Sequence, residues 1–118
     1  EFRHHGWFEK PGLFEQLHKA GIGAVITDTS GRRDCVHMHV PLAKTFIRYV
    51  GHDNHPTDHT RLLNWAKRIR AWKDKGLKEV NFFIHSNDET FTPEIAKMAI
   101  DLFNEECDAN LKPLIFIR

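Results

Sequence analysis

The sequence predicts an α/β fold, half of a TIM-like (β/α)8 barrel with four parallel strands alternating with helices. Short β-branched runs alternate with stretches of helical periodicity, which implies a parallel sheet built from right-handed crossovers. Polar and ionisable residues gather wherever a strand ends, as they do at the functional rim of such folds. Gly21 and Gly23 precede a strand, whereas a dinucleotide-binding turn would come after one. Part of a doubly wound sheet is the alternative, and the barrel is the better match.

The first strand is expected at about 1–5, ending at Gly6-Trp7, so the chain reads as starting inside a structural element. Pro11 suits a first helical turn, and Leu13, Phe14, Leu17 and Ala20 give an inward stripe over about 11–20 before Gly21 and Gly23 stop it. Ala24-Val25-Ile26-Thr27 is the core of a strand over 24–28, closed by the polar run Asp28 to Asp34. Pro41 breaks the stretch beyond that run, and a third strand spans 45–50. Thr57 or Asp58 is expected to cap a helix over 58–75, whose apolar stripe is Leu62, Trp65, Ile69 and Trp72. A fourth strand at 79–85 precedes Thr92-Pro93-Glu94, an N-terminal signal for a helix over 93–106 with Ile95, Met98, Ala99 and Leu102 inward. The tail Leu114-Ile115-Phe116-Ile117 reads as extended.

Composition limits the function classes. The 118 residues suffice for one domain, with 41% hydrophobic and 28% charged residues, as in soluble globular proteins. No apolar run approaches the roughly 18 residues that span a membrane, so no membrane partner is expected. Cys35 and Cys107 lie far apart and read as free thiols of a cytoplasmic protein. A net charge of +1 gives no general electrostatic reason to bind nucleic acid. The helix carrying Arg61, Lys67, Arg68, Arg70, Lys73 and Lys75 interleaves Trp65 and Trp72, yet those tryptophans sit on the apolar stripe and the cations form an outer face.

The candidate chemistry lies at the strand ends. Glu1, Arg3 and His5 share one side of the first strand, because side chains alternate. Asp28 ends the second strand, and Arg48 stands amid Phe46, Ile47, Tyr49 and Val50 of the third. A charge in such a place is costly unless it pairs or meets a ligand. Glu1, Arg3, Asp28, Arg48 and His85 are therefore expected around one concave rim. Arg32 and Arg33, in a loop with Ser30 and Gly31, offer forked donors to a phosphate or carboxylate. Cys35, His37 and His39 alternate and would share a face as metal ligands, although three from one strand rarely close a coordination sphere. Eight of the nine histidines, all but His18, lie at or near strand ends or in the loops after them.

Glu1-Phe2-Arg3-His4-His5-Gly6-Trp7, then Thr45-Phe46-Ile47-Arg48-Tyr49-Val50-Gly51, then Leu63-Asn64-Trp65-Ala66 resemble the YecE-like proteins, the family called domain of unknown function 72. Glu1, Arg3, Trp7, Asp28, Arg48 and Gly51 match its pattern by position. Where the family has Phe-Asn-Asn at the end of the last strand, this chain has Ile84-His85-Ser86-Asn87. The resemblance implies that residues 1–118 are the C-terminal portion, strands five to eight, of a single barrel domain of about 250 residues.

Together these readings lead to an expected function. A small anion, phosphate or carboxylate, would be held by Arg3 and Arg48 with Trp7, Arg32 and Arg33. Glu1, Asp28 and His85 would serve hydrolase- or isomerase-like acid–base or metal-assisted chemistry, with a divalent metal as an open cofactor. The expected partner is the missing N-terminal half of the chain or a second copy. The alternatives are a nucleic-acid-associated barrel, by analogy with metal-dependent endonucleases, and a ligand-binding module without turnover.

Overall fold

A computed structural model describes residues 1–115. The chain divides into two compact units, Glu1–Val50 with Gly76–His85, and Gly51–Lys75 with the residues from Ser86 on.

In the first unit, a helix α1 (Leu13–Ala20) is bracketed by Gly12 and Gly21, both left-handed with φ of 76° and 70°. Gly21 ends α1 by donating its backbone N–H to the His18 and Leu17 carbonyls, a termination that a residue with a Cβ would strain. Leu13, Phe14 and Leu17 are half-buried as the stripe requires, whereas Ala20 is exposed. Strands β1 (Val25–Thr29), β2 (Lys44–Gly51) and β3 (Glu79–Ser86) form a parallel sheet in that order. In β1 and β2 the register sets Thr27 beside Arg48 and Asp28 beside Tyr49. Ile26, Ile47 and Tyr49 are fully buried on one face, where the Tyr49 and Phe82 rings lie 5.9 Å apart.

The expected strand at 1–5 does not form, so among the described residues the sheet has three strands where four were predicted. His4 accepts a hydrogen bond from the Gly6 amide at 3.0 Å, and the chain turns into a 3₁₀ helix over His5–Glu9. The Arg3 carbonyl instead accepts from the Cys35 thiol at 3.3 Å and the Arg32 guanidinium at 3.4 Å. Backbone groups that find no ladder must be met some other way, and here a turn and side chains meet them.

In the second unit, α2 (Pro56–Asp74) begins with proline in its first turn, and α3 (Thr92–Cys107) does the same at Pro93. The cap of α2 is His55, whose ring accepts from the Thr57 amide, in place of Thr57 or Asp58. Helices α2 and α3 pack together, and Leu62, Trp65, Ala66 and Ile69 of α2 and Ile95, Ala99, Leu102 and Phe103 of α3 are buried. Two polar ties reinforce the pair, Cys107 Sγ donating to the Ala66 carbonyl and Lys73 Nζ to the Cys107 carbonyl, both at 3.1 Å. Leu114 and Ile115 have no regular secondary structure, while Phe116 and Ile117 of the expected tail lie outside the described residues.

Candidate functional site

Parity along the strands decides which side chains can meet. In β1 and β2 burial alternates, so Thr27 and Arg48 share the more open face and Asp28 and Tyr49 the buried one. Glu1 comes to the open face from outside the sheet. Its carboxylate accepts from Thr27 Oγ1 at 2.6 Å, Arg48 Nη1 at 3.0 Å and Arg3 Nη2 at 3.2 Å. Three of the predicted site residues therefore meet, and Thr27 is a fourth member that the sequence did not single out.

Burial works to raise the Glu1 pKa, but the hydrogen bonds from Thr27, Arg48 and Arg3 prevail and lower it from 4.5 to about 2. A carboxylate held that low stays ionised near neutrality and is a poor proton carrier, so the acid–base role expected of Glu1 does not suit its surroundings. Its chemistry is to orient Arg48 and Arg3. The cluster sets one carboxylate against two guanidinium groups, and the Arg48 side chain remains 34% exposed.

His85 lies on the same open face. Phe46 stands two residues before Arg48, its ring stacks on Phe83 at 5.4 Å, and Phe83 stands two residues before His85 with the rings 6.0 Å apart. Trp7 sits in the 3₁₀ helix, half-exposed, with its ring 5.3 Å from Phe2 and Lys10 Nζ 4.7 Å from its centroid.

The remaining predicted residues are elsewhere. Asp28 is buried on the opposite face, where Arg33 Nη1 pairs with its carboxylate. The single rim drawn through Asp28 and Arg48 is therefore corrected, because adjacent parity in register sends their side chains to opposite sides. Arg32 closes on Asp34 with Nε 3.0 Å and Nη2 3.3 Å from the two carboxylate oxygens. Both loop arginines thus pair with acids, Arg33 with Asp28 of β1 and Arg32 with Asp34 of its own loop. That pairing lowers the Asp34 pKa and raises that of Arg32.

Cys35, His37 and His39 do not form a metal trio. The Cys35 thiol is committed to the Arg3 carbonyl, and His37 is fixed by two bonds, Nε2 to the Val25 carbonyl at 3.0 Å and Nδ1 from the His39 amide at 3.2 Å. That pair of partners selects the neutral imidazole with its proton on Nε2. Burial lowers the His37 pKa, with the Val25 bond working the other way. Among the described residues, no group of three or more His, Cys, Asp or Glu side chains is arranged to hold a metal ion.

The second unit holds polar anchors that sequence reasoning missed. Asp58, fully buried, accepts the His52 amide on both carboxylate oxygens at 3.0 Å, with Arg61 Nη1 at 3.4 Å. Asp53 Oδ1 accepts from Ser86 Oγ and the Asp88 amide, both at 2.7 Å, and these bonds lower its pKa. Asp53 and Asn54 are left-handed, with φ of 50° and 61°. The signal was present as Asp-Asn, the pair that tolerates this conformation best after glycine. Trp65 is buried and Trp72 half-buried, with their rings 6.2 Å apart. Among the described residues no helix is long and apolar enough to cross a membrane.

Searches of curated proteins and of solved structures returned no match. The family model for DUF72, protein of unknown function, matches residues 1–114, nearly the whole chain and every strand and helix of the fold. The sequence resemblance and the family match therefore agree, and this chain belongs to the DUF72 family.

Proposed function

We propose that the chain is part of a TIM-like barrel that binds a small anion, phosphate or carboxylate, on the open face of its sheet. The observation that carries this is the charge balance of that face, where one carboxylate serves two arginines. Arg48 and Arg3 are the ligand-holding groups, Thr27 and Glu1 position them, and an arriving anion completes the neutralisation with charge-assisted bonds. The barrel is supported by a parallel sheet whose sequential strands are neighbours, with α2 in the connection from β2 to β3. In this reading residues 1–118 are the C-terminal portion of that single domain, and two free thiols suit a cytoplasmic setting. If the face performs hydrolase- or isomerase-like chemistry, His85 is its proton carrier, since Asp28 lies behind the sheet and Glu1 is too acidic.

The test is calorimetric titration of the full-length protein with inorganic phosphate and with acetate, using Arg48→Met to keep volume and remove charge. Loss of a charged hydrogen bond should weaken binding by about tenfold to a hundredfold. Unchanged binding by a folded Arg48→Met variant, or no saturable binding by the wild type, would sink the reading.

A further inference from the structure

Glu1 and Arg3 reach the sheet on a segment outside the ladder, and one buried histidine is tied to that segment from two directions. His37 is 6% exposed, with its ring 5.1 Å from both Phe8 of the 3₁₀ helix and Phe14 of α1. Phe8 meets Phe2 edge-on at 6.1 Å, and Phe2 stands between Glu1 and Arg3. Two residues before His37, the Cys35 thiol holds the Arg3 carbonyl. The segment is thus tied to His37 once through rings and once through the backbone of residues 35–37. The ring keeps its place by two bonds of opposite sense, Nε2–H to the Val25 carbonyl and Nδ1 from the His39 amide. A second proton would turn Nδ1 into a donor facing a donor in a buried place.

Resting on the anion reading, we infer that His37 is a positioning residue for the anion site: neutral, its ring clasps the segment that seats Glu1 and Arg3, and protonated, it releases that segment. The surroundings set the sign. Burial lowers the His37 pKa, the Val25 bond works the other way, and His39 and the Glu1 amino group lower it further. The elements packed on the ring add His5 and Glu9 of the 3₁₀ helix and Glu15, His18 and Lys19 of α1, all exposed, and Asp28 of β1, which Arg33 pairs. The clasp is therefore closed above pH 6.5 and opens as pH falls through the lowered value. Glu1, with its pKa near 2, stays ionised as the clasp opens, so the loss does not come from its own titration. A proton on His5, 3.7 Å from Asp34, would tighten the segment, and one on His85 would add positive charge to the open face. Both oppose the loss expected from His37.

Nitrogen NMR of the histidine rings in the full-length protein, paired with amide hydrogen exchange at the same pH values, tests this. At pH 7 His37 should be neutral with its proton on Nε2. As it protonates, the amides of residues 2–9 should exchange at least about tenfold faster, after correction for intrinsic rates, while the ladder between β1 and β2 stays protected. His37→Gln keeps a donor and an acceptor and takes no proton, so this loosening should be absent from it. Calorimetry with inorganic phosphate and with acetate compares the two proteins at each pH, so that the titration of the anion itself cancels. The affinity of wild type relative to His37→Gln should fall about tenfold as His37 protonates, the loss of one charged hydrogen bond. If the variant does not fold, the wild-type ring titration and exchange decide alone. Unchanged protection of residues 2–9 on protonation of His37, global unfolding before that protonation, or a relative affinity that holds or rises overturns the positioning role and leaves the anion reading standing. Binding of neither anion at pH 7 overturns both.

Discussion

Replacing Glu1 by Gln tests whether the open face is organised by charge. Glutamine can still accept from Thr27, so the substitution removes the ionic component and little volume. The fall in the Glu1 pKa from 4.5 to about 2 corresponds to a ceiling of about 3 kcal/mol at 1.36 kcal/mol per pH unit. The Glu1 side chain is 21% exposed and Arg3 72%, so solvent screens the pair and about 1–2 kcal/mol is the expected cost at pH 7. The native carboxyl is the stronger acid, so its contribution is fully present above pH 4.5 and is lost as pH falls toward 2. Urea unfolding, followed by tryptophan fluorescence, should therefore separate wild type from Glu1→Gln at pH 7 and bring the two together near pH 2. A difference that persists undiminished at pH 2 would refute the electrostatic account, and no difference at pH 7 would show that the cluster is not formed in solution.

The buried anchors carry three more expected outcomes. Asp58→Ala leaves the half-buried Arg61 guanidinium and the His52 amide without this buried carboxylate, and should cost about 3–5 kcal/mol in urea unfolding. A cost below 1 kcal/mol would show that water replaces the carboxylate. Because burial lowers the His37 pKa in the folded chain, its contribution is intact above pH 6.5 and declines as pH falls through the lowered value. His37→Gln keeps a donor for Val25 and an acceptor for His39, so that part of the acid sensitivity should vanish when the two stability profiles are compared. Burial pushes the Cys107 thiol up, against the pull of Lys73, so iodoacetamide should label it only as fast as the protein opens, and rapid labelling of folded protein would contradict its packing.

The parts of the fold written in local chemistry were legible. Pro93 marked a helix start, and Leu62-Trp65-Ile69 and Ile95-Ala99-Leu102 gave faces that the structure buries, whereas Pro56, which opens α2, reads in the sequence as the end of the preceding loop. The runs around Ile26, Ile47 and Phe82 gave three strands nearly to the residue. Glu1–His5 failed because its alternation mimics a strand, whereas pairing depends on a neighbour and His4 offers the backbone a turn instead. Glu1, Arg3 and Arg48 were expected on one rim with Asp28 and His85 because isolated charges are costly, and the three do meet, although Glu1 and Arg3 come from a segment outside the sheet. The position of Asp28 was not foreseen, because which strand-end residues share a face depends on register, a non-local quantity. Asp53 and Asp58 were hidden for a related reason, since each bonds amides whose positions only the folded loop defines.

The pairing of Thr27 with Arg48 has an evolutionary side. Had β1 been set one residue over, Asp28 would stand next to Arg48 and the strands alone would cancel the charge. Instead the neutralising carboxylate arrives on a segment that belongs to no strand, and Asp28 is spent on Arg33 behind the sheet. The potential of the open face is thus separable from the scaffold that carries it. Substitutions in residues 1–3 can retune that potential from negative through neutral to strongly positive without disturbing one ladder hydrogen bond. Under the anion-binding proposal, a lineage could in this way change the charge of the ligand it accepts while leaving its sheet untouched.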